Sequence, residues 1–367
     1  MTTPHFHPLK IKRVTPEAAG AVAILLAVPT GLHSAFDFKP GQFLTLKALI
    51  QGESARRSYS ICSSVQRYAD QAEIEIGVKP VAGGLFSNWA VKLQAGDTLE
   101  VMSPEGRFSP QAKPAPVHRV AFVAGSGITP VLGIIASTLH AGPAARFTLV
   151  YANQSVNTVM FNEALQDLKD QYPSRLSLIY VFSRQAQDVA LLAGRLDAPK
   201  VEELLQTLLP MATIDEAFIC GPEGMIDAVE HVLLAQGLPR NRVHTERFFS
   251  PDNSNAPKLE ANYSITTREN GTNDHSISLK VALDGKTHSL GLKAQDKLLD
   301  AALAAGLDLP YACRGGVCCT CRARVLSGQV QMEKNFTLEQ WEIDKGFVLT
   351  CQARALTPEV VVSFDER

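Results

Sequence analysis

Residues 311–321 read YACRGGVCCTC, and the nine positions from Cys313 to Cys321 hold four of the chain's seven cysteines. Cysteines this dense form a disulfide knot, a metal site or redox machinery, and the rest of the chain decides among these. With 367 residues, 46% hydrophobic and 20% charged, the chain is long enough for two or three domains with separate cores. A net charge of -2 lacks the basic footprint of a nucleic-acid binder. No apolar run approaches the ~18 residues that span a bilayer. The opening MTTPHFHPLKIKRV lacks the charged start and apolar stretch of a signal peptide. The expectation is a cytoplasmic protein with neither a membrane nor a nucleic-acid partner. In that compartment clustered cysteines more often bind metal or do redox work than form structural disulfides.

Outward from the cysteine loop, ISLKVALDG and KTHSLGLKA (277–294) predict a hairpin about Asp284-Gly285. KLLDAALAAG predicts a helix closed by Gly306, and VVVSF a closing strand. Upstream, residues 250–275 are polar and scattered with Pro, Asn, Ser and Gly, which predicts a flexible linker. Before that, the apolar runs RVAFVAG, RFTLVYA, LSLIYVF and EAFIC alternate with helical segments near 128–139, 161–170, 201–209 and 223–235. Such alternation predicts parallel βαβ units and a doubly wound α/β sheet. At the N-terminus LKIKRV, AVAILLAV, QFLTLKA, RRSYSIC, EIEIGVK and TLEVM, with the helix-like LFSNWAVKL, predict a small closed antiparallel β-barrel. The expected division is 1–113, 114–249, a linker at 250–275 and 276–367.

Cys313, Cys318 and Cys321 give C-x4-C-x2-C, with Cys351 standing apart in LTCQA. That spacing suits a [2Fe–2S] cluster: two irons bridged by two sulfides need four thiolates, and one loop supplies three. Arg314, Gly315 and Gly316 let backbone N–H groups approach the sulfurs. A tetrahedral zinc site is the alternative, but zinc sites of this kind pair one C-x2-C with another, and here the fourth cysteine is alone. Using Cys319 in place of Cys318 breaks the spacing, so Cys319 reads as a small packing residue, with thiol reactivity as its other reading.

Two further motifs suit nucleotides. In RRSYSICSS, strand alternation puts Arg57 and Tyr59 on one face and Ser60 on the other. An arginine pairs with phosphate and a tyrosine covers a flat ring. Downstream, Gly83 and Gly84 precede Leu85-Phe86-Ser87. Together these point to a flavin whose diphosphate lies on Arg57, the Gly84 turn and Ser87, the other reading being a plain turn before a helix. VAGSGITP (123–130) ends the first strand of the α/β block, with Gly125 and Gly127 open to a phosphate. Pro130 occupies the place of the third glycine, so the standard dinucleotide fingerprint is incomplete. FICGPEGM puts Cys220, Gly221 and Pro222 at the carboxyl edge of the sheet, and Ser183-Arg184 ends another strand. The arginine favours NADPH, through its 2′-phosphate, over NADH; Asp188 is the nearby acid that NADH would want.

RxYS, GGxxS, GSGITP and CGPxGM, in this order, resemble the ferredoxin–NADP⁺ reductase superfamily, and the C-terminal cysteine module resembles plant-type [2Fe–2S] ferredoxins of β-grasp fold. The likeness spans nearly the whole chain outside 250–275. It is to the flavin–nicotinamide–[2Fe–2S] fusions that serve oxygenases. It implies FAD held by Arg57, with Tyr59 packed on its ring and Ser60 near its N5. Thr129 and Cys220 would line the nicotinamide pocket, and Glu246 in HTERF would lie near the flavin; a carboxylate paired with Arg247 is the alternative for Glu246. The implied activity passes hydride from NAD(P)H to FAD, then single electrons through the cluster to the di-iron oxygenase component of a multicomponent monooxygenase. A phenol-type hydroxylase, a ring-hydroxylating dioxygenase and a hybrid-cluster protein are the other acceptors that such a fusion would suit.

Overall fold

A computed structural model describes residues 4–113, 116–248 and 277–366. The chain divides into two compact units, Phe6–Phe248 and a C-terminal unit from Phe249 onward. The expected linker at 250–275 lies outside the described residues.

In the first unit, six strands form a curled antiparallel sheet: β1 (Phe6–Pro16), β2 (Val22–Ala27), β3 (Phe43–Ile50), β4 (Glu53–Ser60), β5 (Glu73–Val78) and β6 (Thr98–Met102). Their order is β4-β3-β6-β1-β2-β5, and a bridge between Ile61 and Ile76 joins the two edges into a barrel. The two-residue alternation of each strand sends Leu9 and Ile11, Ile24 and Leu26, Leu44 and Leu46, and Ile74 and Ile76 into one core. Each such burial contributes roughly 1.5–3 kcal/mol. Two helices interrupt the strands, α1 (Val65–Gln71) and the expected α2 (Leu85–Ala90). The first was not anticipated. It is capped by Ser64, whose hydroxyl accepts from Arg67 N at 3.1 Å, and Tyr68 is its buried residue. One buried position in so short a helix leaves little periodicity to read.

The α/β block follows: β7 (Val117–Ala124), α3 (Ile128–His140), β8 (Ala145–Asn153), α4 (Asn162–Gln171), β9 (Leu176–Phe182), α5 (Ala198–Thr207), β10 (Glu216–Cys220), α6 (Glu223–Ala235) and β11 (Val243–Glu246). The sheet is parallel throughout, in the order β11-β10-β7-β8-β9. Its central strands are near-continuous apolar runs because helices cover both faces. β11 escaped the sequence reading: VHTE is a four-residue edge strand without an apolar run.

Barrel and α/β block are packed backbone to backbone. A methyl on Gly133 of α3 would fall 2.9 Å from Ser63 O and 3.2 Å from Ile61 O, on the segment leaving β4. A buried carboxylate, Glu216, ties the connector to the sheet. It accepts from Arg119 Nε (2.7 Å), His244 Nε2 (2.7 Å) and Gln111 N (2.8 Å), while Arg119 also donates to Gln111 O.

In the second unit, β12 (Ile277–Leu283) and β13 (Lys286–Leu292) form the expected hairpin. Asp284 and Gly285 both take left-handed backbone (φ 51 and 72), as a two-residue turn of matching twist requires. Then come α7 (Leu298–Ala304), β14 (Arg322–Ser327), β15 (Val330–Met332), α8 (Gln340–Asp344), β16 (Phe347–Leu349), β17 (Ala353–Ala355) and β18 (Glu359–Ser363). The main sheet runs β13-β12-β18-β14-β16, with β12 and β18 parallel, and β15 pairs with β17. α7 packs Leu298, Leu299 and Ala302 into the core of this β-grasp.

Gly→Ala within a helix ordinarily stabilises by up to ~1 kcal/mol. Gly133→Ala is expected to do the opposite, costing roughly 1–3 kcal/mol through overpacking against the 61–63 carbonyls. Denaturant unfolding of the two proteins reads the sign.

Candidate cofactor sites

Strand β4 carries the first site. Arg57 is exposed, its Nη1 donates to Arg56 O (2.7 Å), and it pairs with no carboxylate among the described residues. Tyr59, half-buried, lies 5.8 Å from the Phe86 ring, which in turn meets Trp89 edge-on at 5.3 Å. Burial pushes the Tyr59 hydroxyl well above its ordinary value, so it stays protonated. The turn before α2 is preformed: Gly83 is left-handed (φ 71), Ser87 Oγ accepts from Val81 N (3.1 Å), and Asn88 donates to Val81 O and Gly84 O. An unpaired guanidinium, a half-covered aromatic face and an open glycine turn fit a flavin dinucleotide.

Beside it lies a buried trio drawn from three strands. Ser60 Oγ donates to Glu246 Oε1 at 3.3 Å, across 186 residues of chain. In the parallel sheet Glu246 is register partner to Cys220, and Cys220 to Val123. Cys220 is fully buried, and burial, with the Glu246 carboxylate adding to it, pushes its thiol up. Residue Glu246 as a whole is half-buried, but its carboxyl group is enclosed and Oε2 has no partner. Burial raises its pKa to about 8, against a smaller opposing effect of the Ser60 hydroxyl. Arg247 pairs with Asp227 and Glu223.

The carboxyl edge of the α/β sheet forms the second site. Gly125 takes left-handed backbone (φ 53). Gly127 has a steric duty: a Cβ there would lie 2.1 Å from Cys220 O and 3.1 Å from Gly221 N. Thr129 Oγ1 donates to Ser126 O (3.0 Å), and Pro130 sits in the first turn of α3, where its missing N–H costs nothing. Pro222 caps α6. Ser183 N donates to Asn153 O (3.0 Å) and Arg184 N to Gln154 O (2.9 Å), so both residues cross the end of β9 in a fixed order. Arg184 is exposed and makes no ion pair among the described residues. Lys79, at the end of β5, was passed over in the sequence. Its Nζ lies 3.7 Å from where a Cβ on Gly125 would be, which sets a cation over the glycine loop. A lysine closing a strand just before a glycine turn was the available signal.

In the second unit, Cys313, Cys321 and Cys351 are buried and Cys318 is partly exposed. Their thiols interact in two pairs, Cys313 with Cys318 and Cys321 with Cys351, each shifting the ionisation of its partner. The bond from Cys318, joined by backbone N–H groups of Gly315, Val317 and Cys318, draws the Cys313 thiol down to about 6. The Cys321 thiol lowers that of Cys351 in the same way. Among the described residues no group of three His, Cys, Asp or Glu side chains is gathered about a single ion position. Two thiol pairs under inward N–H groups fit a two-iron cluster. Cys319, left-handed (φ 58) and half-buried, donates to Thr337 Oγ1 at 2.8 Å.

A carboxyl whose pKa is raised on folding contributes stability that is complete below its ordinary value of 4.5 and is lost as pH climbs to about 8. Thermal unfolding between pH 5 and 9 should therefore show the natural chain weakening relative to Glu246→Gln, by about 1.4 kcal/mol per pH unit up to pH 8 and no further beyond it. A constant difference across that range would show that the carboxyl titrates normally.

Three family models match in series: an oxidoreductase FAD-binding domain over 19–109, an oxidoreductase NAD-binding domain over 122–231, and a 2Fe-2S iron-sulfur cluster binding domain over 281–356. The chain is 45% identical to a subunit of the 1,2-phenylacetyl-CoA epoxidase of Escherichia coli K12, across 100% of this chain and 99% of that protein. It is 35% identical to the ferredoxin reductase component of 3-ketosteroid-9-alpha-monooxygenase of Rhodococcus rhodochrous, across 97% and 96%. Phthalate dioxygenase reductase has the same fold, with a TM-score of 0.60 at 22% identity over 98% of both chains. No helix among the described residues is long and apolar enough to cross a membrane. The chain belongs to the ferredoxin–NADP⁺ reductase superfamily, in the branch that joins FAD- and NAD-binding domains to a [2Fe–2S] ferredoxin domain, and is an NAD(P)H-dependent flavin and iron–sulfur electron-transfer oxidoreductase.

Proposed function

We propose that this chain is the cytoplasmic reductase component of a phenylacetyl-CoA epoxidase, delivering electrons from NADPH to the di-iron oxygenase component in phenylacetate catabolism. The observation that carries this reading is 45% identity to the Escherichia coli epoxidase protein across 100% of this chain and 99% of that protein. Phrases such as FKPGQFLTLKA, DEAFICGPEGM and VLTCQA resemble that subunit. Chains of the same architecture serve other oxygenases, as the 3-ketosteroid relative does, so the acceptor is the part of the reading most exposed to test. The division into 1–113, 114–249, 250–275 and 276–367 is retained as part of the proposal.

When bound, FAD accepts a hydride and releases electrons singly to the [2Fe–2S] cluster. Arg57, with the Gly83-Gly84 turn and Ser87, would hold the diphosphate, and Tyr59 would pack on the ring. Ser60 and Glu246, bonded to each other, would act at the ring's reacting edge. With a pKa of about 8, Glu246 is mostly protonated at neutral pH and holds that proton beside Ser60 without adding a charge. Cys220, neutral and fully buried, would give the nicotinamide a dry wall, with Thr129, Gly221 and Pro222 as the other residues of that pocket. Gly125, Gly127, Pro130 and Lys79 shape the pyrophosphate subsite. Cys313, Cys318, Cys321 and Cys351 would hold the cluster.

The preference for NADPH rests on Arg184, beside Ser183, receiving the 2′-phosphate. Arg184→Ala should lower kcat/KM for NADPH by roughly 10–100-fold, the loss of one charge-assisted contact, and leave NADH turnover nearly unchanged. Equal losses with both nucleotides would remove the basis for the preference. For the acceptor, NADPH and the purified holoprotein should support epoxidation of phenylacetyl-CoA when mixed with the epoxidase's oxygenase component. Efficient coupling to a phenol-type hydroxylase, a ring-hydroxylating dioxygenase or a hybrid-cluster protein, with none to the epoxidase, would reassign the partner.

A further inference from the structure

We propose that Gln352 is a positioning residue for the iron–sulfur group, its side-chain amide hydrogen-bonding the Cys351 sulfur and raising the reduction potential. The inference rests on the reading of the four cysteines as cluster ligands. Gln352 follows the fourth cysteine and is 2% exposed. A buried amide must find partners for its N–H groups, and here it finds them around the ligand loop. Nε2 donates to Arg314 O at 2.8 Å and Cys351 O at 2.9 Å, and lies 3.6 Å from Cys351 Sγ. Arg314 is the residue after Cys313, so this one amide spans the first and fourth cysteines of the motif.

Its place is held by packing as well as by hydrogen bonds. A Cβ on Gly316 would fall 3.2 Å from Gln352 Cγ, and Gly316 is left-handed (φ 79), so the glutamine stem lies against a position that cannot grow. The loop cysteine has donors of its own in backbone N–H groups, Gly315 N reaching Cys313 Sγ at 3.3 Å. On the Cys321–Cys351 side, which is the more buried pair, a side chain does similar work. That makes it open to substitution without altering the loop.

Reduction moves one electron from the flavin onto the iron–sulfur group, with no bond made or broken and no proton taken up. It adds one negative charge shared by the sulfurs, so an N–H aimed at a ligand sulfur favours the reduced state more than the oxidised one. Removing that donor lowers the potential.

The test uses the full-length holoprotein with Gln352→Met, which keeps the stem and removes the donors, and Gln352→Glu, which keeps the shape and replaces N–H by an acceptor oxygen. Iron content and the visible spectrum establish loading, and an anaerobic redox titration followed by electron paramagnetic resonance gives the midpoint. Both variants should be harder to reduce than the natural protein, Gln352→Glu by about tenfold in the one-electron equilibrium, or about 59 mV. If Gln352→Met alone fails to load, Gln352→Leu, which likewise lacks the donors and adds no charge, gives the reading in its place. Unchanged midpoints in loaded variants would overturn the proposal. So would loss of the cluster from both variants with the ferredoxin domain still folded, which would make Gln352 a scaffold residue. A natural protein without iron would instead overturn the ligand assignment beneath it.

Discussion

The nicotinamide half of the molecule is referenced to one backbone contact, Gly127 against the Cys220–Gly221 peptide. With 2.1 Å between Cys220 O and the place a Cβ would take, the glycine loop after β7 and the end of β10 leave no room for a side chain. Once they touch, Cys220 stands at a fixed height beside the loop. Parallel register carries that height to Glu246 on the next strand, and Glu246 reaches Ser60 on the barrel. A second close approach keeps the barrel in place: Gly77 of β5 lies against Thr129 and Phe161, a Cβ there falling 2.7 Å and 2.9 Å from their side chains. Three side chains far apart in sequence are thus aligned by contacts that contain no chemistry themselves.

The same sheet holds two buried glutamates with opposite behaviour. At the start of β10, burial alone would raise the pKa of Glu216, but His244, Arg119 and Gln111 N donate to it and hold it below the ordinary carboxylate range. At the end of β11, Glu246 has one hydroxyl partner and an unpaired oxygen, and its pKa rises. The difference lies in the partners that each position is offered. A buried ion pair such as Arg119–Glu216 is weak evidence of net stability, since desolvation opposes the attraction. It does bind the connector and three strands to one point. The unpaired carboxyl is the more telling of the two, because burial without a cation opposes its ionised form and leaves one oxygen without a partner.

Much of this organisation was legible in the chain itself, for reasons that can be named. Alternating barrel strands and solidly apolar parallel strands have distinct periods, Asp284-Gly285 has the turn chemistry of its hairpin, and the spacing of Cys313, Cys318 and Cys321 suits a loop over two irons. Arg57, Tyr59, Ser60 and the Gly125 loop stood out because they end strands. What escaped was set by tertiary contact. α1 has one buried residue, and β11 is a polar edge. Lys79 matters through its distance from a loop on another domain. Gln352 resembles any glutamine after a cysteine until its amide is found between Arg314 and Cys351. The steric duty of Gly127 is likewise invisible until Cys220 O is seen against it.

Anaerobic rapid mixing of the holoprotein with NADPH, followed at flavin and cluster wavelengths, probes the order of electron flow most directly. Flavin absorbance should fall first and cluster absorbance second. A Cys351→Ser chain should show the first phase without the second. Cluster bleaching that begins before flavin reduction, or a cluster that stays oxidised beside a fully reduced flavin, would contradict a path running from nicotinamide through FAD to [2Fe–2S].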